Sequence, residues 1–291
     1  MGKDSTIQFC TSTWNPWQGC IKVSPGCKFC YMYRDKAQYG QDPMDVHRSS
    51  LHTFHLPLRL AKKGPEVIFT CSWSDWFIDT ADPWRDDAWK IIRDTPEHFY
   101  LIFTKRSERI NACLPADWGN GYENVMLVAT AENQEMADKR ASELVQVPAA
   151  WRGLSLEPLL GPVDVSKYLA MVWGQWNNGA IGCKPAINWL VIGGESGNEM
   201  GQYRYRPCEM NWINQLVEQG TRAGVSVFVK QMGTFIAKRL KMADRHGGDI
   251  EEFPPVLAIR QHIPAVQRRL DEKEALKIND VNRPTQNNPL F

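Results

Sequence analysis

Three cysteines near the beginning of the chain have the residue type and spacing of metal ligands. Cys20, Cys27 and Cys30 form a C-x6-C-x2-C pattern. The Pro25-Gly26 pair predicts a turn just before the second cysteine. A C-x2-C pair can bring two thiolates to one metal centre, and the turn lets the third thiolate fold back onto it. Three thiolates are one fewer than a closed structural site uses, so the pattern indicates a centre with an open coordination position.

Two kinds of metal centre fit this pattern. One is an iron–sulfur cluster in which one iron has no protein ligand, and the other is a structural zinc whose fourth ligand is Cys10 or a histidine. The residue types alone leave both open. The position of the loop favours the cluster, because the cysteines follow a predicted first strand that heads a series of βα units. Catalytic cofactors in such folds lie at the C-terminal ends of the strands.

Strands alternate with helices along most of the chain. Short apolar runs predict strands at residues 7–14, 66–73, 99–103, 125–129, 152–156, 189–192 and 225–229. Helical patterns lie at residues 30–40, 82–93, 107–113, 133–145, 165–169 and 208–223. This alternation predicts βαβ units and a parallel sheet. The uninterrupted apolar runs indicate a sheet that is buried on both faces.

Polar side chains follow nearly every predicted strand. They are Ser72, Ser74 and Asp75; Thr104, Lys105 and Arg106; Thr130 and Glu132; Glu157; Glu195 and Ser196; and Lys230 and Gln231. In a parallel sheet or barrel the C-terminal ends of the strands gather on one face, where ligands bind. The plainer interpretation is that strands stop where polarity begins. Six such endings beside a cysteine loop favour a ligand site.

Two stretches depart from the alternation. Residues 170–187 interrupt it and predict an excursion between strands, either a lid or a structural hairpin. From residue 237 onward the pattern decays, and we expect an irregular C-terminal extension with one helix near residues 272–277. The predicted organisation is therefore a βα domain at residues 1–235 and an extension at residues 236–291 that packs on it or is partly irregular.

Composition narrows the functional classes only modestly. The 291 residues are 43% hydrophobic with a net charge of +1, which gives no global attraction to nucleic acid or to an acidic membrane surface. No run approaches the roughly 18 apolar residues of a membrane span, and no signal peptide is visible. We therefore expect a cytoplasmic location without membrane contact. The eight cysteines are then metal ligands and core thiols rather than a disulfide framework.

The cysteine loop also carries a family resemblance. The stretch Thr-Trp-Asn-Pro-Trp-x-Gly-Cys-x-Lys-Val-Ser-Pro-Gly-Cys-x-x-Cys-Tyr resembles the signature of a phage-associated family of unknown function, itself similar to radical S-adenosylmethionine (SAM) enzymes. The motifs at residues 155–162, 191–197 and 228–233 also resemble that family. Radical SAM enzymes usually have a C-x3-C-x2-C spacing with an aromatic residue between the last two cysteines. Here the first gap is six residues, and Phe29 keeps the aromatic position.

The resemblance implies a fold, cofactors and an activity. The fold would be α/β, a parallel partial (β/α)6-type barrel of the radical SAM kind. Cys20, Cys27 and Cys30 would hold a [4Fe–4S] cluster whose free iron chelates the amino and carboxylate groups of SAM. Reductive cleavage of SAM would then give a 5′-deoxyadenosyl radical that abstracts hydrogen from a substrate. An electron donor such as flavodoxin or ferredoxin would supply the electron.

The resemblance also suggests roles for the polar residues after the strands. Ser72, Ser74 and Asp75 would hold the SAM amino group, and Thr130 and Glu132 would bind the ribose hydroxyls. Glu157 and Lys105 would contact SAM or the substrate, and Glu195 would face the substrate unless it is a solvated turn residue. Lys230 would bind an anionic group in the pocket or extend to solvent.

The substrate and the competing functions remain open at this stage. The basic residues Arg34, Lys36, Lys105, Arg106, Arg204, Arg206 and Lys230, with neighbouring aromatics, suggest a nucleobase, nucleotide or nucleic acid substrate. The alternative is a non-catalytic zinc or iron–sulfur protein that binds nucleic acid or a protein partner. A βα-barrel hydrolase ranks last, because no nucleophile elbow or Ser/His/Asp arrangement stands out.

Overall fold

The computed structural model describes residues 5–175 and 181–281. The strands are β1 (Ser12–Trp14), β2 (Trp17–Gln18), β3 (His47–Arg48), β4 (Val67–Thr70), β5 (Phe99–Thr104), β6 (Val125–Thr130), β7 (Trp151–Leu156), β8 (Met171–Gln175), β9 (Ile181–Pro185), β10 (Trp189–Gly193) and β11 (Ser226–Gln231). The helices are α1 (Tyr31–Gln38), α2 (Leu51–Phe54), α3 (Leu56–Ala61), α4 (Asp82–Arg93), α5 (Gln134–Val145), α6 (Met210–Ala223), α7 (Thr234–Leu240) and α8 (Pro264–Val281). Short 3-10 helices lie at Pro25–Cys27, Asp79–Ala81, Ser107–Arg109, Asn111–Cys113, Ser166–Tyr168, Ile250–Glu252 and Pro255–Leu257.

Seven strands form one parallel sheet in the order β1-β4-β5-β6-β7-β10-β11. Along the chain, each new strand of this sheet pairs with the previous one, so the sheet grows in one direction from β1 to β11. Because crossovers between parallel strands are right-handed, this order places the connecting helices on one face, and the sheet curls into an open half-barrel. The expected α/β partial barrel is confirmed, with strands at the seven predicted positions.

The two faces of the sheet bury different residues, as the two-residue period of a strand requires. The outer face packs Ile102 of β5 and Leu127 of β6 against Trp89 of α4 and Leu144 of α5. The inner face is rich in aromatic side chains. They are Phe9, Phe69, Phe103, Trp189 and Phe228, and the rings of Phe9 and Phe103 stack with centroids 5.3 Å apart. This aromatic cluster fills the interior of the half-barrel below the C-terminal ends of the strands.

The residues after β11 are more regular than the sequence pattern predicts. Helix α7 lies where the pattern decays, and the helix expected near residues 272–277 spans Pro264–Val281. Residues Ile259 to Gln261 run along the free edge of β11 and bond to its backbone, which protects an exposed strand edge. Val266 at the beginning of α8 packs into the inner aromatic cluster. Lys273 of the same helix forms an ion pair with buried Glu66 at the beginning of β4.

The excursion at residues 170–187 contains the antiparallel pair β8 and β9. This confirms the hairpin interpretation for the described strands, while residues 176–180 lie outside the described part of the chain. In the described residues, every helix is too short or too polar to cross a bilayer.

Candidate functional site

A cavity of about 510 Å³ opens at the C-terminal ends of the parallel strands. Its walls include ten of the twelve residues that the sequence predicted for the site: Cys20, Cys27, Cys30, Ser72, Ser74, Asp75, Lys105, Thr130, Glu157 and Lys230. The two that do not line it are Glu132 and Glu195. The aromatic rings of Phe9, Phe69 and Phe103 form its floor. The geometry therefore brings three thiols, several hydroxyls and two opposite charges to one chamber.

The cysteine loop is shaped by its turn residues. Gly19 has a φ of +86°, and a Cβ there would lie 2.1 Å from the carbonyl oxygen of Asp45, so only glycine fits. Pro25–Cys27 forms the predicted turn as one 3-10 helix. Cys30 is the N-cap residue of α1, and the backbone N–H groups of Met32 and Tyr33 face its thiol. These amides lower the pKa of Cys30, but burial has the larger effect and raises it overall.

Each of the three thiols lies beside a polar group. Arg106 Nη1 lies 3.7 Å from Cys20 Sγ, and Ser24 Oγ lies 4.0 Å from Cys27 Sγ. Burial raises the pKa of Cys20 to about 12 and also raises the pKa of Cys30. Such thiols stay protonated at neutral pH when free, whereas a bound metal deprotonates its thiol ligands.

The donor set fits an iron–sulfur cluster with three cysteine ligands. All three thiols of the motif line one cavity, and all three are partly exposed. No histidine among the described residues lines the cavity. Among the described residues, no group of three or more Cys, His, Asp or Glu side chains converges on a single ion position. A cubane cluster binds each thiolate through a different iron atom and does not require that convergence.

Two cysteines outside the motif bear on the zinc alternative. Cys10, the predicted candidate for a fourth ligand, is absent from the cavity wall, and its Sγ lies 3.5 Å from Ser5 Oγ. Cys71 does line the cavity, although the sequence indicated only a core thiol. It is buried at the end of β4 with a φ of +53°, a conformation rarely adopted by a residue with a side chain. Its position directly after an apolar strand was the only signal in the sequence.

Glu132 supports the cysteine loop from below instead of facing the cavity. Its carboxylate accepts a hydrogen bond from Gly26 N at 2.8 Å and pairs with Arg140 Nη1 at 3.0 Å. A Cβ at residue 26 would lie 2.9 Å from the Glu132 carboxyl carbon, so the glycine permits this approach. Burial alone would raise the pKa of Glu132, but the Ser24 hydroxyl, the Gly26 amide and Arg140 outweigh it and hold the pKa below its usual value.

Glu195 holds the same loop from the other side through an arginine. Its two oxygens accept hydrogen bonds from Arg206 Nε at 2.8 Å and Nη2 at 2.5 Å. Arg206 Nη1 then donates to the carbonyl of Pro25 at 2.9 Å, and its guanidinium lies 5.2 Å from the ring centroid of Phe29. Glu195 is thus neither a solvated turn residue nor a cavity residue. It orients Arg206, which binds the backbone of the cysteine loop.

Asp75 lines the cavity, but protein groups occupy its oxygens. Oδ1 accepts from Thr104 Oγ1 at 2.7 Å, and Oδ2 accepts from Lys105 N at 2.9 Å and lies 3.2 Å from Arg106 Nη1. Since Arg106 also contacts Cys20, Asp75 fixes the guanidinium beside that thiol. Ser74 Oγ donates to the carbonyl of Gly19, so the segment after β4 ties the cysteine loop to the sheet.

An ion pair also lines the cavity. Lys230 Nζ is 3.1 Å from Glu157 Oε1, and the ammonium lies 5.8 Å from the ring centroid of Phe9. Thr130 and Lys105 add a hydroxyl and an ammonium to the cavity lining. By contrast, Lys36 from the predicted basic set is only 1% exposed and is not available to a phosphate.

The chain was compared with proteins of known sequence and structure. No curated protein matches it. One matching solved structure is a mutant of spore photoproduct lyase with bound AdoMet and a dinucleoside spore photoproduct. The two chains share 9% sequence identity with a TM-score of 0.44, over 94% of this chain and 64% of the lyase chain. This chain therefore spans a little under two thirds of the length of that protein.

A family match covers nearly the whole described chain. It runs from residue 4 to residue 277, and so includes the cysteine loop, all seven parallel strands and most of α8. The chain accordingly belongs to the family described as protein of unknown function (DUF5131).

Proposed function

We propose that this protein is a radical SAM-type enzyme with a [4Fe–4S] cluster on Cys20, Cys27 and Cys30. The observation that carries the proposal is the meeting of these three thiols in one cavity at the C-terminal ends of a parallel half-barrel. Cofactor and substrate sites lie at this end of parallel βα folds. When bound, the cluster supplies the electron that cleaves SAM reductively and so generates the radical for hydrogen abstraction.

Some polar residues of the cavity wall have polar atoms available to a ligand, and in others protein groups already occupy these atoms. Thr130 offers a hydroxyl, which suits the ribose of SAM. The Ser72 hydroxyl lines the cavity but is hydrogen-bonded to the Asn15 side-chain amide. Lys105 offers an ammonium, which suits a carboxylate or a phosphate. Asp75 is already engaged, so its role is to position Arg106 beside Cys20. Glu132 and Glu195 also act as positioning residues, because they hold the cysteine loop rather than contact the cofactor.

The aromatic floor of the cavity and the ion pair in its lining suit a substrate that has a planar ring with polar atoms at its edge. Phe9, Phe69 and Phe103 give an apolar surface, and Glu157 and Lys230 present an acceptor and a donor above it. Apolar walls exclude water, which protects a reactive radical from side reactions. Stacking on aromatic side chains together with hydrogen bonds to an edge is how proteins hold nucleobases. We therefore propose a nucleobase, nucleotide or nucleic acid substrate.

SAM cleavage after anaerobic reconstitution with iron and sulfide tests the function. Dithionite-reduced protein should release 5′-deoxyadenosine from SAM and show the broad absorbance of an iron–sulfur cluster near 400 nm. Cys27→Ser should abolish both, whereas Cys113→Ser, at a partly buried cysteine away from the cavity, should keep both. A colourless protein that holds one tightly bound zinc would overturn the proposal.

The competing function is a non-catalytic metal protein, and one observation favours it: Cys71 is a fourth cysteine in the cavity wall. If Cys71 closed the coordination shell, SAM would have no open iron to bind. Cys71→Ser separates the two functions, because cluster content and SAM cleavage should both survive it in a radical SAM enzyme. Loss of the metal centre in this variant would favour the closed site.

A further inference from the structure

The guanidinium of Arg106 binds the cysteine loop. Its Nη2 donates to the carbonyl of Ile21 at 2.8 Å, and its Nη1 donates to Cys20 Sγ at 3.7 Å. Arg106 is only 6% exposed, and although it reaches the cavity wall, protein groups engage both of its terminal nitrogens. The sequence placed Arg106 among the basic residues for a nucleobase or nucleotide, whereas these contacts direct it to the first cysteine of the motif.

The end of β5 fixes the direction of this guanidinium. The backbone N–H of Arg106 donates to Thr104 Oγ1 at 2.8 Å, and that hydroxyl donates to Asp75 Oδ1 at 2.7 Å. Asp75 Oδ2 lies 3.2 Å from Arg106 Nη1, and Asp75 is only 4% exposed. Because water and salt ions have little access to this buried pair, its charges act on the neighbouring thiol with little screening.

The hydrogen-bond contacts of the other two thiols within the described residues are neutral. The Ser24 hydroxyl lies 4.0 Å from Cys27 Sγ, and backbone N–H groups of α1 face the thiol of Cys30. Cys20 differs from them because a cation donates to its sulfur. Hydrogen bonds with a charged partner are roughly twice as strong as neutral ones. The charge of Arg106 therefore acts on one specific ligand of the motif.

We propose that Arg106 acts through Cys20 to raise the reduction potential of the centre that the three cysteines hold. The inference rests on the proposed function, in which that centre is a [4Fe–4S] cluster. Reduction by one electron adds a negative charge to a cluster and its thiolates, and hydrogen bonds to the sulfurs and nearby charges set the potential. The Arg106 guanidinium favours this added charge, and the Asp75 carboxylate opposes it. Arg106 is thus a positioning residue that tunes the redox centre.

Another arginine of the chain has the same arrangement away from the cavity. Arg109 Nη2 lies 3.7 Å from Cys113 Sγ and 2.7 Å from Asp82 Oδ1. Neither Arg109 nor Cys113 lines the cavity. Arg109→Gln is therefore the matched control for Arg106→Gln, because both changes remove an arginine that bridges a carboxylate and a cysteine.

A redox titration of the anaerobically reconstituted proteins without SAM tests the proposal, with the reduced cluster followed by electron paramagnetic resonance. At a fixed applied potential, Arg106→Gln should lower the ratio of reduced to oxidised cluster by about 3- to 10-fold, and tenfold corresponds to about 59 mV for one electron. Arg106→Lys keeps the charge without the planar fork and should fall between Arg106→Gln and the wild type. Asp75→Asn should raise the ratio, because it removes the opposing charge. Arg109→Gln should leave the ratio unchanged.

Equal ratios in the wild type and Arg106→Gln would overturn the proposal, and so would the same shift in Arg106→Gln and Arg109→Gln. A loss of SAM affinity in Arg106→Gln with an unchanged ratio would also overturn it, because Arg106 would then be a cofactor contact. A wild type that takes up no iron–sulfur cluster would count against the proposed function. A wild type that cleaves SAM but has the same ratio as Arg106→Gln would count against this inference alone.

A measurement on the wild type keeps the test valid if Arg106→Gln does not fold or does not hold a cluster. Pulsed electron paramagnetic resonance of reduced protein with isotopically labelled arginine nitrogens should show a coupling between these nitrogens and the cluster spin. Arg106→Lys should lose this coupling, and Arg109→Gln should keep it. Absence of the coupling in the wild type would overturn the hydrogen bond from Arg106 to the Cys20 ligand.

Discussion

Two buried carboxylates determine how the cysteine loop is held. Glu132 binds the backbone of Gly26 directly, and Glu195 reaches the carbonyl of Pro25 through Arg206. Both contacts fall on the turn between Cys20 and Cys27, the stretch that is longer than the usual radical SAM spacing. The longer gap is thus anchored from two strands of the sheet, which fixes the position of the second thiol.

Glu132→Gln should destabilise the protein because it leaves the buried Arg140 without its counter-ion. Removal of one partner from a buried ion pair typically lowers the free energy of unfolding by about 3 kcal/mol. Urea unfolding of the cluster-free chain at pH 7 measures the effect. Glu135→Gln is the matched control, because Glu135 is an exposed residue at the beginning of α5, the helix that carries Arg140, and the change should have little effect.

The Glu132 contribution should also depend on pH. Its pKa is held below the usual value of 4.5 in the folded chain, so the stabilisation is fully present above that pH and is lost as the pH falls through the folded pKa. The difference in unfolding free energy between wild type and Glu132→Gln should therefore shrink at acidic pH. A difference that stays constant from pH 7 to pH 3 would contradict the charge-based account of this contact.

At the scale of elements, the residues between α7 and α8 close one side of the half-barrel. His262 belongs to this segment, and its ring lies 5.1 Å from the Phe228 ring and 6.0 Å from the Trp189 ring. Its Nδ1 is buried and has no hydrogen-bond partner within the described structure. Burial lowers the pKa of His262 to about 4. The surroundings of His262 therefore favour the neutral imidazole over the protonated form.

His262→Phe should make the protein less sensitive to mild acid. The imidazole has a depressed pKa in the folded chain and an ordinary pKa of about 6.5 in the unfolded chain, so the unfolded state binds more protons between these values. The wild type should lose about 3 kcal/mol of stability between pH 7 and pH 4 that the variant keeps. Thermal or urea unfolding at these two pH values checks this, and parallel losses in both proteins would contradict it.

The sheet could be predicted from the sequence, but the contacts that hold the site could not. An apolar run such as Val125–Thr130 marks a strand by local pattern alone, and its C-terminal end places Thr130 at the cavity. Glu132 lies 106 residues from Gly26 in the chain, and no local sequence pattern predicts that its carboxylate binds the cysteine loop. Helix α7 spans only Thr234–Leu240, too short a stretch to show a helical period clearly. Helix α8 carries charges of both signs, and its docking depends on the tertiary ion pair with Glu66.

At the scale of the whole molecule, the two ends of the half-barrel differ: one is closed by packed side chains, and the other holds the candidate site. The N-terminal ends of the strands are closed by α8 and the aromatic cluster, while the C-terminal ends surround the cavity with the cysteine loop at its rim. This polarity leaves the face with the cavity for the proposed cofactor and substrate. The loop lies beyond the sheet, and side chains that follow two of its strands hold the loop in place.

Electron paramagnetic resonance tests most directly whether Cys20, Cys27 and Cys30 hold a cluster with one open iron. The anaerobically reconstituted, dithionite-reduced protein should give the signal of a reduced [4Fe–4S] cluster. Addition of SAM should change the shape of that signal, because SAM binds the open iron. Cys27→Ser should lack the signal, and Cys71→Ser should keep both the signal and its response to SAM. A signal that saturating SAM leaves unchanged, or a protein that takes up zinc and no iron–sulfur cluster, would contradict the account.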